Sequence, residues 1–192
     1  MKKLLFLLCA AISLEAAPFY LTAKAGYFRF TDQTMREVYN NRNYAVLGEA
    51  GFFLGSRHLA LFASGSYTRP TGTGLNSSIA TSVELGTLTL GPKFFVYPAS
   101  WLGLYAGAGP RCFFYHEKDH SPFVEQSIHR SGIGGGFMGG ILLGRERHGF
   151  LVDLFVDYSV KTFDKRPNGI ASEVFDIRLD SLTAGGGIGW VF

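Results

Sequence analysis

Residues 181–192 read SLTAGGGIGWVF, and their spacing decides the fold. Counting back in twos gives Phe192, Trp190, Ile188, Gly186, Ala184 and Leu182 on one register. The other register holds Val191, Gly189, Gly187, Gly185, Thr183 and Ser181. Successive side chains of a strand point to opposite faces, so a period of two predicts a strand. One face is oily with an aromatic end; the other is small or polar. A barrel wall in lipid needs that division, with the apolar face outward and the small or polar face toward the lumen.

The segment resembles the C-terminal signal of bacterial outer-membrane barrels, which ends in Phe with apolar residues at alternate positions. Ile188, Trp190 and Phe192 carry the likeness. The resemblance implies recognition by the barrel-insertion machinery.

The other end of the chain agrees. Residues 1–17 read MKKLLFLLCAAISLEAA, with Lys2 and Lys3 ahead of a short apolar run and small residues at Ala16 and Ala17. This pattern predicts a secretory signal peptide, and the apolar run is too short for a membrane-spanning helix. Cleavage is expected after Ala16, giving a signal peptide over 1–16 and a barrel domain over 17–192. Leu8 stands where a lipoprotein signal around Cys9 would need a small residue.

Composition narrows the class further. The chain is 47% hydrophobic, yet no long apolar run follows the leader, so strands rather than helices must meet the lipid. The mature chain keeps one cysteine, Cys112, which excludes an internal disulfide and a cysteine metal site. A net charge of +3 without a Lys/Arg cluster gives no case for nucleic-acid binding.

Period-two alternation predicts seven more strands, over about 19–30, 43–55, 59–68, 79–97, 101–115, 129–144 and 150–161, and no helix. The clearest is the seventh, where Phe150, Val152, Leu154, Val156, Tyr158 and Val160 alternate with Leu151, Asp153, Phe155, Asp157, Ser159 and Lys161. Pro92 predicts a bend or bulge in the fourth. Short turns at 56–58, 98–100 and 145–149 alternate with longer polar loops at 31–42, 69–78, 116–128 and 164–172. Short turns on one side and long loops on the other are the outer-membrane pattern, and an even strand count puts both termini at the short-turn end. Aromatic residues form two bands: Phe19, Phe52, Trp101, Phe150, Trp190 and Phe192 near the short turns, and Tyr27, Tyr44, Tyr67, Phe114 and Tyr158 near the long loops. Aromatic rings favour membrane interfaces. A soluble barrel would instead show polar outward faces.

The expected fold is therefore all-β, an eight-stranded antiparallel up-and-down transmembrane β-barrel in the bacterial outer membrane. The mature chain resembles the small outer-membrane barrels that include the OmpA membrane domain, OmpX and OmpW. It departs from full-length OmpA in that no periplasmic peptidoglycan-binding domain follows the barrel.

The strand registers place Lys24, Glu49, Lys93, Arg111, Asp153, Asp157 and Lys161 inward. Charges there must pair or be hydrated. One reading has Glu49, Asp153 and Asp157 pairing with Lys24, Lys93 and Arg111 to brace and plug the lumen. The other has the same groups exchanging partners in a narrow, porin-like channel. The glycine-dense sixth and eighth strands favour bracing, because they allow close backbone approach.

An enzyme is the third reading. His129-Arg130-Ser131 places His129 and Ser131 on one outward strand face, where His129 could activate Ser131. The pair is similar to the His and Ser of the lipid A deacylase PagL. Gly132 follows where that family has Asn, and no acid is evident to orient His129. The expectation is no enzyme, no catalytic residues and no cofactor. His116, Glu117, Asp119 and His120 match no tight metal spacing, so no metal is expected. Expected partners are outer-membrane lipids and lipopolysaccharide, the insertion machinery, and a surface ligand on the long loops.

Overall fold

The computed structural model of the chain describes residues 18–39, 43–73, 80–120, 125–144, 149–163 and 177–192. The expected signal peptide, residues 40–42, 74–78 and 121–124 of the first three long loops, most of the 145–149 turn and the 164–172 loop lie outside these residues.

Eight strands build the wall: β1 (Phe19–Phe30), β2 (Asn43–Phe53), β3 (Leu59–Thr68), β4 (Ala80–Ala99), β5 (Leu102–His120), β6 (Glu125–Gly144), β7 (Gly149–Val160) and β8 (Ser181–Val191). Every neighbouring pair is antiparallel, and β8 pairs with β1 from Val191↔Tyr20 to Ser181↔Phe30. The sheet closes on itself, because β3 also pairs with β4. Closure removes both free edges, the condition for strands to lie in lipid.

Side chains alternate as the period of two requires. In β1 the pattern of exposed and buried residues alternates from Tyr20 to Phe30. The wall's outer face is apolar: Leu88, Leu90, Phe94 and Val96 of β4 are all exposed, as are Leu154 and Val156 of β7. A soluble protein does not leave so continuous an apolar surface uncovered. No helix among the described residues is long and apolar enough to cross a membrane. The two aromatic bands are in place. At the short-turn end the Phe19 ring stacks on Phe192 at 4.4 Å and lies 5.9 Å from Phe52. At the long-loop end Tyr27 meets Tyr44 edge-on at 6.5 Å.

Four local features differ from the sequence reading. First, the first long connection contains a short helix, α1 (Gln33–Val38). Its N-cap is Asp32, whose Oδ1 accepts from the Met35 amide at 3.1 Å, satisfying a donor that the first turn leaves open. Met35 and the following Tyr39 are buried in the barrel mouth. The strand Thr71–Thr73 packs against the helix end; a Cβ on Gly72 would collide with the Val38 carbonyl. Second, residues 116–120 are not loop. They continue β5, paired with the start of β6 down to His120↔Glu125, so this hairpin extends well past the aromatic band. Third, Thr162–Phe163 and Ile177–Arg178 pair as a separate ribbon. Fourth, the register shift in β4 falls between Val96 and Ala99; around Pro92 the register holds, but the ladder to β5 has no pairs between Thr89↔Arg111 and Lys93↔Gly107.

Candidate functional site

The lumen is largely filled by side chains, and it is layered along the barrel axis. Lys24, Glu49, Lys93, Arg111, Asp153 and Asp157 are all buried inside it. They divide into two groups.

The layer nearer the short turns joins two lysines to two carboxylates. Lys24 Nζ lies 3.0 Å from Glu49 Oε2 and 2.6 Å from Asp153 Oδ2. Lys93 pairs with the other oxygen of Glu49. Two tyrosines complete the carboxylates' coordination: Tyr20 donates to Glu49 at 2.8 Å and Tyr105 to Asp153 at 2.8 Å. The layer therefore links β1, β2, β4, β5 and β7 across the lumen. Lys93 Nζ also sits over the Tyr105 and Phe62 rings, at 4.3 and 4.9 Å from their centroids. Such cation–π contacts offset part of the cost of burying the ammonium.

The layer nearer the long loops is built on one guanidinium. Arg111 binds Asp157 in a fork, Nη1 to Oδ2 at 2.7 Å and Nη2 to Oδ1 at 2.6 Å. Its Nε donates to Thr89 at 2.6 Å, and Nη1 also reaches Ser159. Planar bidentate pairing is the strongest arrangement open to a carboxylate and a cation. Gly136 of β6 makes room for it: a Cβ there would lie 2.5 Å from Arg111 Nε. This accounts for one of the inward glycines that the sequence shows on β6.

Apolar side chains fill most of the space between and beyond the layers. Phe62, Phe155 and Met138 are buried among the charged groups, and Phe28, Leu85 and Phe113 lie further toward the loops. Phe163, Leu179, Met35 and Tyr39 occupy the mouth. The Tyr39 hydroxyl donates to Glu117 at 2.9 Å, which fastens the segment after α1 to β5. Lys161 is half-buried near this end, its Nζ 4.8 Å over the Phe163 ring and outside both ion-pair layers.

The C-terminal residues Ile188, Trp190 and Phe192 are exposed on the outer wall. Trp190 lies between Leu21 and Phe150 in the ladder.

His129 and Ser131 also face outward and are exposed. His129 does not engage Ser131. Its ring stacks on its cross-strand partner His116 at 3.8 Å. Glu84, the partner of His116 on the other side, places Oε2 3.5 Å from His116 Nδ1. An acid is thus close by, but it addresses His116 and does not orient His129. Cross-strand register alone creates this row, and nothing in the spacing of His129 could have revealed it. The loop metal reading separates for a related reason. Glu117 accepts from Tyr115 at 2.6 Å on the inner side while His116 faces out. Among the described residues no group of three His, Cys, Asp or Glu can hold a metal ion. The side chains of Asp119 and His120 lie outside the description.

No protein-family model matches the sequence, nor does any curated protein. Solved structures do match over nearly the whole chain. Neisserial surface protein A is 16% identical with a TM-score of 0.58, over 91% of this chain and 97% of its own. OprG of Pseudomonas aeruginosa is 13% identical with a TM-score of 0.58, over 92% and 96%. Ail, the attachment invasion locus protein of Yersinia pestis, was solved with the heparin analogue sucrose octasulfate. It is 15% identical with a TM-score of 0.55, over 90% and 98%. In architecture, strand count and closure, this chain has the fold of the small eight-stranded outer-membrane β-barrels.

Proposed function

We propose that the chain is an integral outer-membrane barrel with a closed lumen, which acts through its surface-exposed long-loop end as a structural and interaction protein. The observation that carries this reading is the pair of buried ion-pair layers, Lys24–Glu49–Lys93–Asp153 and Arg111–Asp157, packed between aromatic side chains. Eight strands leave an interior just wide enough for side chains, and here side chains occupy it. Residues 1–16 serve as the cleaved export signal, and Ile188, Trp190 and Phe192 present the insertion signal. Both termini then face the periplasm, and the aromatic bands sit at the two lipid interfaces, the outer one against lipopolysaccharide.

The surface ligand on this reading is an anionic saccharide. Arg29, Arg69, Lys118 and Arg178 are distributed around the long-loop end, and the Ail neighbour binds a polysulfated sugar. No catalytic step is assigned. The stacking of His129 on His116 leaves Ser131 without its base. Replacing Ser131 with Ala should leave the lipid A mass spectrum of expressing cells unchanged, and a lost mass shift would assign an enzyme instead.

Planar-bilayer recording tests the main reading. A closed lumen predicts a flat baseline after insertion; clear ohmic steps would instead favour a narrow porin-like channel.

A further inference from the structure

The outer wall carries a groove at the long-loop end, across β3 to β6. Two rows of outward residues build it. In the lower row, level with the aromatic band, Tyr67, Gly86, Phe114 and Ser131 are successive cross-strand neighbours. In the row above, Glu84, His116 and His129 are successive neighbours, and Arg69 stands at the edge with its Nε 3.6 Å from Glu84. The groove is open to the outside and holds about 450 Å³. Small-molecule sites typically hold about 300–1,000 Å³. Tyr115 and Arg130 border it from the other register of their strands.

Gly86 makes the recess. A Cβ there would meet only Phe114, at 3.8 Å, an ordinary contact. Unlike Gly136, this glycine answers no packing demand. What its missing side chain leaves is a slot in the aromatic band, with the exposed rings of Tyr67 and Phe114 on either side. Aromatic rings attract cations, and paired rings suit a quaternary ammonium.

Glu84 stands at the upper end of this slot, two residues away on the same strand. Its carboxylate lies 3.6 Å from Arg69 and 3.5 Å from His116. A charge-assisted hydrogen bond would bring an N–H donor to about 2.7–2.9 Å. Glu84 therefore keeps acceptor capacity to spare among the described residues. His116 Nε2 likewise has no hydrogen-bond partner among them.

Charge decides what sort of head group fits. Arg69 and Arg130 set two positive charges around the one carboxylate of Glu84. A lone cation would be opposed by the arginines. A lone anion would leave the ring slot and Glu84 unanswered. A head group carrying both signs answers both, with its ammonium in the slot against Glu84 and its phosphate toward the exposed His129 and Ser131. Below the groove the wall continues with exposed Leu88 and Ile133, which suit a hydrocarbon chain.

We propose that this groove binds the ammonium–phosphate head group of a zwitterionic lipid, with the ammonium over Gly86 and an acyl chain along Leu88. The site needs the lipid-facing wall but neither a closed lumen nor a ligand on the outer loops. Amide NMR of the whole barrel in dodecyl maltoside micelles, titrated with dodecylphosphocholine and with dodecyl phosphate, tests it. The two probes share a chain and a phosphate and differ in the choline. Dodecylphosphocholine should shift the Gly86 and Ser131 amides saturably, while Ile188 on the far wall reports only mixing into the micelle. Dodecyl phosphate should bind at least tenfold more weakly. Gly86→Leu should abolish saturation at Ser131 by filling the slot, and the heat-modifiable gel shift of a folded barrel checks that the wall accepts it. Glu84→Gln leaves the shape of the groove alone and should weaken dodecylphosphocholine by about threefold to tenfold, the scale of one cation contact. It keeps the test open should the leucine variant misfold. The proposal is overturned if Gly86 and Ser131 merely track Ile188, if neither a folded Gly86→Leu barrel nor Glu84→Gln loses affinity, or if dodecyl phosphate binds as well as dodecylphosphocholine.

Discussion

The two ion-pair layers of the lumen solve one problem in different ways. Around Arg111 every strong interaction converges on a single guanidinium. Asp157 takes two of its donors, and Thr89 and Ser159 take two more. Nearer the short turns, two lysines share two carboxylates, with Tyr20 and Tyr105 closing the network. The first layer is self-contained and has no redundancy. The second has alternatives: Lys24 touches both carboxylates, and a space of about 30 Å³ lies directly beside Lys93. Charge in a narrow barrel can thus either converge on one centre or be shared among several groups.

Breaking each layer should expose this difference. The largest effect is expected for Asp157→Ala, which strands the buried Arg111. Losing one partner of a buried pair costs about 3–5 kcal/mol. Urea unfolding of the barrel in lipid vesicles should show that loss. A smaller loss, about 1–3 kcal/mol, is expected for Glu49→Gln, the scale of an imperfectly answered buried group. Lys24 keeps Asp153, the amide still accepts one hydrogen bond, and the small space beside Lys93 has room to hydrate it. Equal losses for the two variants would erase the distinction between the layers. The smallest effect is expected for Arg111→Met combined with Asp157→Leu. Replacing a whole buried pair by apolar side chains of similar size is often nearly neutral or stabilising. A double variant as unstable as Asp157→Ala alone would show that the pair contributes net stability of its own.

Much of this architecture can be read directly from the residues, because a barrel wall repeats one rule. The alternation that separates Phe150, Val152 and Leu154 from Leu151, Asp153 and Phe155 is local, and each strand states its own inner and outer face. The identities of the luminal charges follow from the same rule. Their partners do not. Lys24 on β1 meets Asp153 on β7 only once β8 has closed the ring between them. Residues 116–120 look like loop because strands that leave the lipid no longer need an oily face, so HEKDH carries no apolar alternation. The helix α1 is too short to show a helical period, and its Met35 and Tyr39 are buried by the barrel mouth rather than by a helix partner. The Glu84–His116–His129 row depends on the register of three strands.

The central claim is that these layers close the lumen. Single-channel recording in planar bilayers, with the native barrel beside an Arg111→Ala/Asp157→Ala variant at the same insertion density, tests it most directly. The native protein should be silent, with current steps confined to the variant. Reproducible ohmic steps from the native barrel would contradict it.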